Sequence, residues 1–202
     1  MSDSPAEPAA FAFTPESAEQ ARAFIARYPA GRQQSAVMPL LDLAQRQEGW
    51  VSRAAIEMIA NMLEMAPIQV EEVATFYTMY NRRPVGRFHV QICTNLPCML
   101  RGSDAVIDTV CETLGIGVGE TTPDGLFTVS EAECLGACVN APVIQINDDY
   151  YEDLDPTSTR AVLEALGRGE TPRTGSQTGR QTSCPAGGPT TLIPPASATE
   201  SA

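Results

Sequence analysis

Lysine is absent from the 202 residues, histidine and tryptophan occur once each, and apolar runs are short. Each gap removes a class of function. A membrane-crossing helix needs ~18 or more consecutive apolar residues, but the richest stretch, Ala54 to Val70, is broken by Glu57 and Glu64. No basic region followed by an apolar one opens the chain, so no secretory signal is expected, and acids come too early for a transit peptide. No credible Ser/His/Asp set is present, so hydrolysis is not supported. A Rieske centre needs two histidines on one iron, and His89 is the only one. The expectation is an intracellular protein in a reducing compartment, where clustered cysteines read as metal-binding or catalytic before they read as disulfides.

Charge is scarce on one side. The net charge is −12, and between Arg101 and Arg160 there is no basic residue at all. That interval holds Asp104, Asp108, Glu112, Glu120, Asp124, Glu131, Glu133, Asp148, Asp149, Glu152, Asp153 and Asp155. The thirteen acids elsewhere match the 13 arginines (25 − 12 = 13), so the whole excess sits on one segment. Nucleic acid would be repelled by it. A basic partner protein, or the tuning of a redox centre, fits it better.

Three regions follow one another, after a flexible N-terminus expected over 1–13. Residues 14–85 read as a helical bundle. Thr14 caps a helix with Pro15 at its first position, and Ala21, Phe24, Ile25 and Tyr28 recur at helical spacing. Val37, Leu40, Leu41 and Ala44 form a second stripe ended by Gly49, Ser52 caps a third, and Val70, Val73, Ala74 and Tyr77 make a fourth. Met58, Met62 and Met65 read as core filler.

Residues 86–167 change period. Phe88, Val90 and Ile92 alternate with polar residues and run into Cys93, so a strand delivers the first cysteine. A loop through Cys98 leads to a helix carrying Ile107, Val110, Cys111 and Leu114, with Cys111 expected in the core. Strands follow at Leu126–Val129, Pro142–Ile146 and Tyr150–Tyr151, then a helix opens at Asp155–Pro156. The order βαβ–ββα is that of the thioredoxin-like fold, so the class is α/β. Residues 168–202, rich in Gly, Pro, Ser, Thr and Gln, predict an extended or disordered tail, ordered as a strap only on a partner. Gly115-Ile-Gly-Val-Gly119 follows a helix instead of opening one, so it is a loop and no dinucleotide fingerprint.

Four of the six cysteines form two close pairs, Cys93-Thr-Asn-Leu-Pro-Cys98 and Cys134-Leu-Gly-Ala-Cys138. Each lies at a strand end. A [2Fe–2S] cluster needs two thiolates on each iron, which two such pairs supply, with Cys93 and Cys98 on one iron and Cys134 and Cys138 on the other. Gly136 lets the second loop bend and aim amides at sulfur. Spacing leaves a structural zinc on the same thiolates open, as a zinc-stabilised interaction module. Cys-x-x-Cys is absent, against a dithiol oxidoreductase.

Val73-Ala-Thr-Phe-Tyr-Thr-Met-Tyr80, His89-Val-Gln-Ile-Cys-Thr-Asn-Leu-Pro-Cys98 with Met-Leu-Arg-Gly102, and Glu133-Cys-Leu-Gly-Ala-Cys-Val-Asn-Ala-Pro-Val143 resemble a known family over residues 15–167. It is the thioredoxin-like [2Fe–2S], 24 kDa or E-type, subunit of NADH:quinone oxidoreductase, respiratory complex I. The resemblance implies one [2Fe–2S] cluster on Cys93, Cys98, Cys134 and Cys138 and no catalytic residue on this chain. It implies a flavin-containing NADH-oxidising partner that binds the FMN and NADH, with other peripheral-arm subunits, on the cytoplasmic side of a bacterial inner membrane without insertion into it. The same module occurs in NAD-linked hydrogenases and formate dehydrogenases, the alternative within this class. The tail from Gly179 resembles an extension of some members in which a glutamate is usual where Cys184 stands.

Overall fold

A computed structural model describes residues 8–183. Cys184 and the last part of the expected tail lie outside the described residues, as do residues 1–7. The chain divides into two compact units between Val85 and Gly86.

The first unit is helical: α1 (Pro15–Ile25), α2 (Val37–Glu48), α3 (Arg53–Leu63) and α4 (Pro67–Phe76). Local chemistry sets the ends. Thr14 and Ser52 each accept a hydrogen bond from the backbone three residues on, at Ser17 and Ala55, satisfying donors that a helix start leaves free. Gly49, at φ +83°, takes the left-handed conformation that closes α2. Two helices stop short of the expected stripes, leaving Tyr28 and Tyr77 outside them. The fourth starts earlier than its apolar spacing predicts, because Pro67 presets the first turn and Gln69 Oε1 accepts from the Ala66 amide at 3.0 Å. Leu40, Leu41, Ile56, Ile59, Leu63 and Val70 fill the core, with Met58, Met62 and Met65 packed around it. The expected flexible N-terminus is anchored in its described part. Phe11 enters the core, edge-on to Phe13, and Gln47 bonds both Ala12 O and the Thr14 amide.

The second unit carries β1 (Phe88–Cys93), α5 (Leu96–Leu100), α6 (Ser103–Leu114), β2 (Phe127–Ala132), β3 (Ile144–Ile146), β4 (Asp149–Glu152), α7 (Pro156–Gly167) and β5 (Gly175–Ser176). The sheet order is β2-β1-β3-β4-β5, with β1 parallel to β2, antiparallel to β3, and β4 parallel to β5. Val90 and Ile92 share a core with Val129, Ile144, Ile146 and Tyr151, and with Val106, Val110, Val162 and Leu163 from α6 and α7. Period 2 puts His89, Gln91 and Cys93 on the opposite face.

Three expectations change here. Cys98 sits in the short α5 and not in a loop, because Pro97 starts a helical turn there. Cys111 is only half-buried and lies outside the core, near Asp108 and Glu120, and burial raises its thiol pKa. The segment from 168 needs no partner to order: up to Ser183 it lies on this chain's own β4, supplying β5. Gly115 and Gly119, at φ +68° and +87°, belong to the turn after α6, the loop that the sequence predicts.

Candidate metal centre

The fold brings both cysteine pairs to one end of the sheet. Strand β1 delivers Cys93, 2% exposed, whose amide donates to Val143 O at 3.2 Å. Beyond Thr94 and Asn95, α5 turns Cys98 back into the interior, where it is 1% exposed. The second pair leaves the end of β2. Thr94 N donates to Ala132 O at 3.3 Å and Asn95 Nδ2 to Glu133 Oε2 at 3.5 Å, so the two loops are tied together.

The thiols converge. Cys134 Sγ and Cys138 Sγ are 3.3 Å apart, Cys98 is hydrogen-bonded to Cys93, and Cys138 lies close enough to act electrostatically on Cys93 and Cys98. A two-iron cluster asks for two thiolates on each iron, and two thiol pairs from two strand ends fit that demand.

Amides already point at sulfur. Gly136, at φ +81°, turns its N–H onto Cys134, the largest cause holding that thiol below its ordinary range; the contact with Cys138 adds to it. The Val143 amide donates to Cys98, but burial outweighs it and pushes that thiol up to about 12.

Two groups that sequence reasoning missed hold the second loop. Tyr150 donates to Leu135 O at 2.7 Å, and burial raises its pKa, so it remains a donor. Asn140, 2% exposed, is fixed by Glu152 of β4. The Tyr150-Tyr151 pair carried a signal: neighbours in a strand face opposite ways, so only one tyrosine of the two can join the core. Ala137, Ala141 and Val143, with Leu135 and Tyr150, surround Cys93 and Cys98. Leu96, Met99 and Leu100 of α5 and Val139 are exposed near these sulfurs in sequence. His89 is no ligand here: its Nε2 lies 2.8 Å from Ser130 Oγ, and burial lowers its pKa, favouring neutral imidazole.

A family model described as thioredoxin-like [2Fe-2S] ferredoxin matches residues 21–167. The chain is 50% identical over 186 residues to the mitochondrial NADH dehydrogenase [ubiquinone] flavoprotein 2 of Dictyostelium discoideum, covering 92% of this chain and 75% of the relative. It is 54% identical over 157 residues to the E-type NADH-quinone oxidoreductase subunit of Rickettsia bellii, 77% of this chain and 94% of the relative. Among solved structures, an NAD+-reducing [NiFe]-hydrogenase in the H2-reduced state aligns with a TM-score of 0.57 at 21% identity. That match covers 66% of this chain and only 23% of the hydrogenase chain, and it speaks to the fold alone.

Proposed function

Since the chain belongs to the thioredoxin-like [2Fe–2S] ferredoxin family, we propose that it is the one-electron subunit of a proton-translocating NADH:quinone oxidoreductase. Cys93, Cys98, Cys134 and Cys138 are the ligands of its single cluster. The observation that carries this is the convergence of two thiol pairs from two strand ends, in a chain whose relatives are subunits of that enzyme.

Bound there, a [2Fe–2S] cluster supplies a centre that takes up or gives back one electron at a time. The protein's own groups do the rest. Cys93 and Cys98 would hold one iron from a buried position that excludes water, and Cys134 and Cys138 would hold the other at the surface. The Gly136 and Val143 amides offset negative charge on the Cys134 and Cys98 sulfurs, which favours the reduced state. The acids of the same segment oppose that effect. No hydride acceptor belongs to this chain: FMN and NADH bind to the flavin-containing partner, with which electrons are exchanged. Residues 14–85 form the helical bundle and 86–167 the cluster domain. Among the described residues no helix is long and apolar enough to cross a membrane. The subunit belongs to a peripheral arm on the cytoplasmic side of a bacterial inner membrane, beside the other arm subunits.

The native complex decides this. Purified under nitrogen, the chain should contain iron and sulfide two to two, turn red-brown, and give a low-temperature EPR signal on reduction. It should co-purify with an FMN-containing NADH-oxidising subunit. A colourless chain with stoichiometric zinc would overturn the cluster. Hydrogenase or molybdenum subunits in place of a quinone-reactive membrane arm would overturn the complex.

A further inference from the structure

We propose that the strap formed by residues 175–183 positions the second cysteine loop, acting through Asn140 and Glu152. The proposal rests on the reading that Cys138 is a cluster ligand; the contacts themselves do not.

Asn140 stands two residues after Cys138 and is buried at 2% exposure. Its Nδ2 group has two hydrogens, and both are used: one bond runs to Glu152 Oε2 and one to Gln181 O in the strap, each 2.7 Å. Its backbone carbonyl accepts from the Asp153 amide, also at 2.7 Å. Glu152 is itself 2% exposed, and the strap completes its coordination. Ser183 N donates to Oε2 at 3.0 Å and Ser183 Oγ to Oε1 at 2.7 Å. An isolated carboxylate in such a place would be costly to bury. Here three donors share it, two from the strap and one from the cysteine loop.

The strap has its own anchors, distinct from the relay. Ser176 Oγ and Arg180 Nη1 donate to the Asp153 carboxylate at 2.6 and 2.9 Å, and Gln177 N donates to Glu152 O at 2.9 Å. Gly175, at φ +76°, is pressed against Thr182, so a Cβ there would collide with the Thr182 methyl. The chain therefore folds back on itself tightly, and this turn brings Ser183 onto Glu152. From Ser183, itself exposed, through Glu152 to Asn140, both buried, every link is a hydrogen bond. The second iron ligand pair is thus held from outside its own loop. Two acids of the acidic segment serve this purpose.

The experiment uses the full-length chain, iron-free and loaded, as wild type, Gly175→Ala, Ser183→Ala and Ser183→Thr. Amide hydrogen exchange is followed at Asn140 and Ala141, whose amides bond to Ala137 O and Cys138 O. Gly175→Ala removes no hydrogen-bonding group yet dislodges the strap. It and Ser183→Ala should each speed exchange at those amides about tenfold, the effect of one lost bond to a buried carboxylate. In the loaded, reduced protein the same two variants should shift the EPR g-values, and Ser183→Thr should restore both readouts. Faster exchange at Gln177 and Arg180 with Asn140 and Ala141 still protected would overturn the proposal. So would faster loop exchange beside a wild-type spectrum. Were wild type to bind no iron, the cluster assignment would fall, and the exchange result would still decide whether the strap holds the loop.

Discussion

Cys93 and Cys98 are 2% and 1% exposed, delivered by a central strand and a helical turn, whereas Cys134 is exposed in a loop and Cys138 is exposed at the start of the single 3-10 turn Cys138–Asn140. The first pair is placed by the packing of the domain, since β1 runs between β2 and β3 and cannot shift without disturbing the core. The second pair is placed by particular hydrogen bonds: Tyr150 on Leu135, Glu152 on Asn140, and the Gly136 amide on Cys134. One pair is thus built for retention. The other is reachable, and its surroundings can be altered without touching the core.

The largest test of that difference is ligand replacement. Cys98→Ser puts a poor iron ligand where no water or neighbouring group can substitute, and iron per chain should fall to about a tenth of wild type or less. Cys138→Ser stands in an adjustable loop and should retain part of the iron with a changed EPR spectrum. Equal loss from the two variants would erase the distinction between the pairs.

Thiol chemistry of the iron-free chain sharpens it further. The thiolate is the reactive form. At Cys134 the pKa is lowered, mainly by the Gly136 amide, so alkylation should be fast and its rate should level off at a lower pH than for an ordinary thiol. At Cys98 burial raises the pKa from 9.0 to about 12, leaving roughly a thousandth of the ordinary thiolate at neutral pH. Its rate should still be climbing at alkaline pH. Peptide mapping after timed iodoacetamide treatment gives the order, and Cys98 reacting before Cys134 would contradict it.

The same contrast explains what could be read in the sequence. Cys93 follows an alternating strand whose buried partners, Val90 and Ile92, announce their face, so its position at a strand end was legible. The succession of strands along the chain up to β4 followed from turn residues and periodicity in the same way. The supports of the second loop were not legible, because a hydrogen bond from Tyr150 to Leu135, or from Glu152 to Ser183, depends on segments up to 31 residues apart. Nothing in the composition of residues 168–183 distinguishes a strap that returns to its own sheet from a solvated tail. Cys98 was misplaced in a loop for a smaller reason: a five-residue helix is too short to show a period.

A milder change probes the hydrogen-bonded side alone. Tyr150→Phe removes the hydroxyl on Leu135 O and keeps the ring, a loss of about 1 kcal/mol. The loaded protein should fold as before but release iron several-fold faster to a chelator. Tyr151→Phe, whose side chain enters the other face of the sheet, should release it at the wild-type rate. If both variants behave alike, the loop is not held by that bond.

The smallest expected effect concerns charge. Of the twelve acids between Arg101 and Arg160, Glu152 and Asp153 are committed to the strap, and Glu112 lies 3.8 Å from Arg160. Glu131 and Glu133 are exposed at the mouth of the second loop, and Glu133 also accepts from Asn95. A carboxylate beside the cluster disfavours adding an electron, so Glu133→Gln, which keeps an acceptor for Asn95, should raise the midpoint potential. Water and salt weaken a charge in that position, and the rise should be on the order of ten millivolts and shrink as salt is added. Glu131→Gln should act in the same direction. Glu133 lies next to the exposed pair and acts electrostatically on Cys134. A redox titration that finds no change at low salt would detach the charge from the potential. The acidic segment would then act through docking to a basic surface, and the same variants should weaken binding of the subunit to its partner.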